Sequence, residues 1–214
     1  MVAALKASKR EVPHFLDSIT TGERAQALQQ ATFAMFCYWE GEAKLGSIAG
    51  VKSTHSAWHS GLEVVTLWYD PNVVEYGKLV ETAQSFKCAT KVFTHTPKQL
   101  EVARSKVGSA AVELKIDSST RPAKASDQKY YLRQTPLRHL PLTETQATKI
   151  NSALGYQKAY AHWLSPKQQE LARRVLAVSK KSPTALNEFH YPKQVSGLAQ
   201  YTASLDAKLK ELEK

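Results

Sequence analysis

Cysteine is scarce in this chain: Cys37 and Cys88 are the only thiols among 214 residues. So few exclude a disulfide-built scaffold. In a reducing compartment, two thiols serve either chemistry or core filling. No Cys-x-x-Cys and no His-Glu-x-x-His occurs, so the common metal-binding spacings are missing. Long apolar runs are absent as well. None approaches the roughly 20 residues that span a bilayer, and MVAALKASKREVPHF has too short an apolar piece for a signal peptide. The expectation is a cytoplasmic protein with no membrane partner. Acidic residues are in short supply: 19 against 29 Lys and Arg, a formal charge of +10. The basic clusters KASKR, ARR and SKK are short and lack the interleaved aromatics of a single-strand-binding face. A solvated basic surface is expected, not a nucleic-acid partner.

What is present reads as an α+β protein. Residues 1–30 form an N-terminal arm with some helix. TFAMFC reads as a buried strand, and YWEGEAKLGSIAG as a helix closed by Gly50. VKSTHSAW and LEVVTLWY are strands joined by a tight HSG turn, the second rich in β-branched and aromatic residues. Asp70 and Pro71 predict a helix start, followed by an apolar face of Val73, Tyr76, Val80 and Ala83. ATKVFT is a fourth strand. The order β-α-β-β-α-β is the ferredoxin-like split unit, a two-layer core with helices on one face of an antiparallel sheet. A helix follows at TPKQLEVARSKVG, opened by a Thr-x-x-Gln capping box, a device that recurs in TETQ and SPKQ. VELKI reads as a short strand and DSSTRPAKASDQ as a polar loop. Helices are predicted over 143–163, 166–180 and 196–213, with Pro183 and Pro192 bracketing a linker. The domains expected are therefore the arm, an α+β unit over 31–140 and a helical extension over 141–214.

Cys37 sits where a strand gives way to a helix, in FAMFCYWEGE. A free cysteine there is either a packed core thiol or a nucleophile. The helix start stabilises a thiolate by roughly 0.3–1 kcal/mol, which alone is too little to activate it. Glu63 opens the strand face that continues through Val65, Leu67 and Tyr69. Buried there, it would be a proton donor; at the strand's rim it would simply be solvated. His55 and His59 invite a metal reading, but four residues of strand separate them by about 13 Å. No metal site is expected.

These residues resemble the A class of peptide methionine sulfoxide reductases. The family places its catalytic cysteine in Gly-Cys-Phe-Trp-Gly-x-Glu, and FCYWEGE matches it at Cys37, Trp39 and Glu42. LEVVTLWYDP with YGKL, KVFTHTPKQ, and YYLRQTP follow in the family's order, over about residues 31–136. The departures are specific: Phe36 replaces a glycine, Tyr38 a phenylalanine, Glu40 a glycine and Trp58 an active-site tyrosine. The family's second pocket loop is missing; Cys88 falls on its Asp or its Tyr position, and the late histidine falls near Asp127 or Gln128. The resemblance implies reduction of methionine-S-sulfoxide, peptide-bound or free, through a cysteine sulfenic acid. Cys37 would be the nucleophile, Glu63 the acid, Cys88 a candidate resolving thiol, and Tyr38, Trp39, Trp58 and Tyr131 the substrate pocket. It implies no bound cofactor, oxidised proteins or free methionine sulfoxide as substrates, and thioredoxin or another thiol as reductant. The alternative is a member with altered catalysis that acts as a binding or scaffold protein through its helical extension.

Overall fold

The computed structural model describes residues 12–19, 28–115, 119–189 and 197–214. A short helix, α1 (His14–Ile19), precedes β1 (Gln29–Met35), α2 (Tyr38–Gly46), β2 (Val51–His59) and β3 (Leu62–Tyr69). Then come α3 (Tyr76–Ser85), β4 (Lys91–Thr94), α4 (Pro97–Val107), β5 (Ala111–Glu113) and β6 (Thr120–Pro122). A single turn, α5 (Tyr130–Arg133), precedes the extension, which holds three long helices, α6 (Glu144–Gly155), α7 (Pro166–Lys181) and α8 (Leu198–Leu212). The parts of the expected arm and of the Pro183–Pro192 linker at 1–11, 20–27 and 190–196 lie outside the described residues.

The strands form one sheet in the order β5-β4-β1-β3-β2-β6. Its middle, β4-β1-β3-β2, is antiparallel throughout and is the ferredoxin-like core. β5 adds in parallel beside β4, and β6 antiparallel beside β2. Ser60 and Gly61 both adopt positive φ, 49° and 76°, the left-handed pair that closes a two-residue hairpin between β2 and β3. Alternation along the strands sends Phe33, Met35, Val65, Leu67 and Tyr69 toward α2, α3 and α4, where they meet Leu45, Leu79, Val80, Ala83 and Ala103. A smaller apolar cluster of Ala34, Val64 and Phe93 lies on the opposite face.

Four boundaries differ from the sequence reading. α2 ends at Gly46 with Ser47 as its C-cap, short of Gly50, whose positive φ (86°) turns the chain into β2. α3 starts at Tyr76 because Asp70 spends its side chain on a local turn, Oδ1 accepting from the Asn72 N–H at 2.9 Å. The expected helix over 143–163 stops at Gly155, where Gln157 turns left-handed (φ 53°) and the Lys158 N–H returns to the Ala153 carbonyl at 2.7 Å. The polar loop contains β6, three residues whose pairing with Ala57, Trp58 and His59 makes them a strand that their own sequence does not announce.

The extension has its own apolar core, built from Leu132 through Leu209. Thr143–Gln146 and Ser165–Gln168 form reciprocal capping boxes, and their two glutamines also bond each other at 2.8 and 3.0 Å, tying the starts of α6 and α7 together. The Thr96–Gln99 start is half a box: Thr96 caps Gln99, but Gln99 Oε1 takes the His95 N–H. α6 lies against α2 at close range. A Cβ at Gly46 would stand 2.6 Å from Ser152 Oγ, and one at Gly155 2.8 Å from Ala43 Cβ, so the two glycines set the helix separation. The His14 ring packs on His162 and Trp163 at 5.2 and 4.8 Å, seating α1 on the extension. No helix among the described residues is long and apolar enough to cross a membrane.

Candidate active site

Cys37 is the N-cap residue of α2, half-buried, with extended backbone and no side-chain capping bond. Glu63 reaches the same point from β3. Its Oε2 accepts the backbone N–H of Tyr38, the residue after Cys37, at 2.7 Å. An acid from a neighbouring strand thus satisfies one of the orphan donors at the helix start. Glu63 is half-buried, between the desolvated and the rim readings of the sequence.

The sheet register sets the surroundings. Met35, Glu63, Trp58 and Arg121 are consecutive cross-strand neighbours over β1, β3, β2 and β6, and so form one row on the helix-covered face. The Tyr38 ring meets Trp58 edge-on at 5.9 Å and Trp39 at 6.2 Å. Trp39 stacks on Tyr130 at 4.0 Å, and Tyr131 packs edge-on to Tyr130 at 5.6 Å. Tyr38, Trp39 and Trp58 therefore surround the start of α2. Tyr131 lies in the next layer, against Gly155, where a Cβ would approach its ring to 3.0 Å. The Trp39 indole N–H is buried without an acceptor among the described residues.

Four consecutive residues, 127–130, hold this wall in place. Asp127 accepts the Tyr38 hydroxyl at 3.0 Å. Gln128 bonds both backbone groups of Ser56, at 2.9 and 2.7 Å, as a strand would. Lys129 is buried, with left-handed backbone (φ 52°), and both its N–H (2.6 Å) and its ammonium (3.1 Å) bond Glu42. The ammonium also donates to the Thr54 carbonyl, and the Thr54 hydroxyl donates to Glu42 at 3.0 Å. Tyr130 supplies the ring on Trp39. Glu42, which the sequence motif singled out, thus anchors the segment that carries Asp127 and Tyr130. Burial, then the Asp127 carboxylate, then the Glu63 charge push the Tyr38 hydroxyl up to about 12, with a hydrogen bond from Trp58 working the other way.

The two thiols lie at the same end of the sheet. β1 and β4 are antiparallel neighbours paired Phe33↔Val92 and Ala34↔Lys91, so the chain leaving β1 toward Cys37 runs beside the chain entering β4 from Cys88. Thr90 fixes this end, giving its N–H and its hydroxyl to the Ala34 carbonyl, each at 2.9 Å. Cys88 is buried (3% exposed) and its thiol donates to the Phe86 carbonyl at 3.4 Å. Burial pushes it up to about 11; the Lys44 ammonium opposes the rise, and the charges of Glu40 and Cys37 add to it.

His55 and His59 lie on the opposite face of the sheet from Cys37. His55 packs on Trp68 and His59 on Phe93, and His59 Nδ1 bonds the Thr120 hydroxyl at 2.7 Å. No group of three His, Cys, Asp or Glu among the described residues is placed to hold a metal. Sequence reasoning missed Arg121, Lys129 and Asp127 as parts of one wall. Only the neighbourhood of Asp127 had a signal, its place in the late motif.

No protein-family model matches the chain, and no curated protein matches it. Among solved structures it is similar to methionine sulfoxide reductase A of Corynebacterium diphtheriae, at 20% identity and a TM-score of 0.42, over 52% of this chain and 76% of that one.

Proposed function

We propose that the protein reduces methionine-S-sulfoxide, peptide-bound or free, with Cys37 as nucleophile and Glu63 as acid. The observation that carries the reading is the Glu63–Tyr38 N–H bond, which seats a carboxyl group against the residue following a thiol at a helix start. The aromatic enclosure of Tyr38, Trp39 and Trp58 suits a methyl sulfide; sulfur–aromatic contacts contribute roughly 0.3–1.5 kcal/mol each. Tyr131 backs that enclosure. In the reaction, Cys37 sulfur bonds to the sulfoxide sulfur while Glu63 gives a proton to the sulfoxide oxygen. The S–O bond and the new S–S bond then break: the hydroxyl passes to Cys37 as sulfenic acid, the S–S electron pair leaves with the methyl sulfide, and the proton lost by the Cys37 thiol restores Glu63. Two electrons move from the thiol to the sulfoxide. Cys88, at the same sheet end, attacks the sulfenic sulfur, forming a disulfide and releasing water. Thioredoxin or another dithiol then reduces the disulfide, and no cofactor enters the cycle.

The test is turnover of a methyl sulfoxide with dithiothreitol as reductant, read by mass spectrometry of the sulfide and of Cys37. Wild type is expected to release sulfide, Cys37→Ser none, and Glu63→Gln clearly more than Glu63→Ala, because a carboxamide still donates a hydrogen bond. Omitting reductant is expected to yield a Cys37–Cys88 linked peptide. Wild-type turnover by Cys37→Ser overturns the assignment. Oxidised Cys37 without a linked peptide leaves Cys37 dependent on an outside thiol.

A further inference from the structure

The row Met35–Glu63–Trp58–Arg121 ends in a charge that the reaction above does not use. Arg121 is exposed, yet its guanidinium carbon sits 5.3 Å from the centre of the Trp58 ring. The side chain thus lies over the indole face of its cross-strand neighbour, on the row that leads to Glu63. Among the described residues Arg121 makes no ion pair, so its planar fork of donors is unspent. Asp127, the carboxylate on the same wall, is already engaged by the hydroxyls of Tyr38 and Ser126, at 3.0 and 3.3 Å.

We infer that Arg121 binds a carboxylate on the substrate, so that the preferred substrate is a methionine sulfoxide whose own α-carboxylate is free: the amino acid itself or a C-terminal residue. The inference rests on the reading of Cys37 and Glu63 as the reacting pair. Arg121 lies two strands from Glu63, about 10 Å across the sheet. In methionine sulfoxide, five bonds of roughly 1.5 Å separate the sulfoxide oxygen from the carboxylate carbon, an extended span of about 6 Å. A hydrogen bond of about 2.8 Å at each end brings the extended total to about 12 Å, so a ligand short of full extension bridges the two positions. The methyl sulfide would then lie along Trp58, the residue between acid and cation in the row, and Tyr38, whose ring meets it at 5.9 Å. A guanidinium fork matches a carboxylate with two parallel bonds, which an internal residue of a peptide cannot offer.

Binding tests this apart from turnover. In a Cys37→Ser background, calorimetry would compare methionine-S-sulfoxide, its N-acetyl form, which keeps the carboxylate, and its carboxamide, which does not. The first two are expected to bind alike and the amide about tenfold or more weaker. Adding Arg121→Gln is expected to bring the first two down to the amide and leave the amide unchanged, and Arg121→Lys to recover part of the loss. Equal binding of acid and amide, an equal loss for all three ligands, or no binding of any of them overturns the inference. Carboxylate-dependent binding without wild-type turnover keeps the Arg121 site and overturns the reductase reading. Equal turnover of the free acid and its carboxamide keeps the reductase and overturns the role of Arg121.

Discussion

The two ends of α2 are built to opposite standards. At its C-terminus the backbone is closed by a buried cation. Lys149, buried on α6, donates to the Gly46 carbonyl at 2.7 Å and the Ile48 carbonyl at 2.8 Å, so a cation sits where the helix dipole is negative. The closure continues to mid-helix, where Glu42 is fully buried and accepts from Lys129 and Thr54. At the N-terminus Cys37 caps nothing, Trp39 has a buried indole N–H without an acceptor, and Phe36 stands 96% exposed. Folding needs satisfied polar groups, and the carbonyls at the closed end have them, although the Thr148 hydroxyl beside Gly46 has no partner among the described residues. Unspent groups gathered around a thiol and a carboxylate are what a binding site leaves for its ligand.

The largest expected effect lies at the closed side. Lys129→Met strands the Glu42 carboxylate in the core, and losing one partner of a buried pair costs about 3–5 kcal/mol. Urea unfolding of the variant is expected to show a loss of that size, and Lys129→Met with Glu42→Gln to regain much of it. A loss below about 1 kcal/mol for the single variant would erase the contrast between the two ends. Lys149→Met comes next. It leaves two carbonyls without their donor, at about 1–3 kcal/mol in all, and the same denaturation curves read it. Because α6 is held to α2 through this lysine, protease cleavage between 155 and 166 is expected to accelerate in parallel.

The open side titrates instead. Cys88 is raised from 9.0 to about 11 by burial. Above pH 9 the unfolded thiol loses its proton while the folded one keeps it, so the unfolded state binds fewer protons and stability falls as pH rises from about 9 to about 11. The loss approaches about 2 kcal/mol at the top of that window, and Cys88→Ala is expected to flatten that part of the profile. Tyr38, raised to about 12, continues the decline at higher pH. An unchanged slope in the alanine variant would show that Cys88 is not buried as a neutral thiol.

How much of this was legible in the sequence follows the range of the forces involved. The hairpin at Ser60–Gly61 and the caps at Thr143 and Ser165 are local chemistry, and their residues announce them. The antiparallel two-layer core followed from element order, but the adjacency of β1 and β4, which brings the two thiols to one end of the sheet, did not. Cys37 and Glu63 stood out by position, one at a strand–helix junction and one opening an apolar strand face, with their roles open; the roles and the aromatic set came from the motif resemblance. The 127–130 wall was not legible. A lysine reads as surface, and only the tertiary partner Glu42 makes burial of Lys129 tolerable. Arg121 is hidden in the same way, because β6 exists only by pairing with β2.

The smallest expected effect separates the two ends most sharply. Cys37 occupies an N-cap, a position where serine is among the best residues because its oxygen accepts an orphan N–H of the first turn. Cysteine makes no such bond here. Cys37→Ser is therefore expected to leave stability unchanged or raise it by a few tenths of a kcal/mol, up to about 1, which is about 2–4 °C in Tm for a chain of this size. The same substitution is expected to abolish sulfide release. A thiol kept only for packing predicts the reverse, since removing buried sulfur from a fitted core lowers Tm without touching any reaction. Calorimetric Tm and turnover measured on one preparation decide between them. A Tm drop of more than about 3 °C in Cys37→Ser would mean that Cys37 belongs to the closed, structural side of α2 after all.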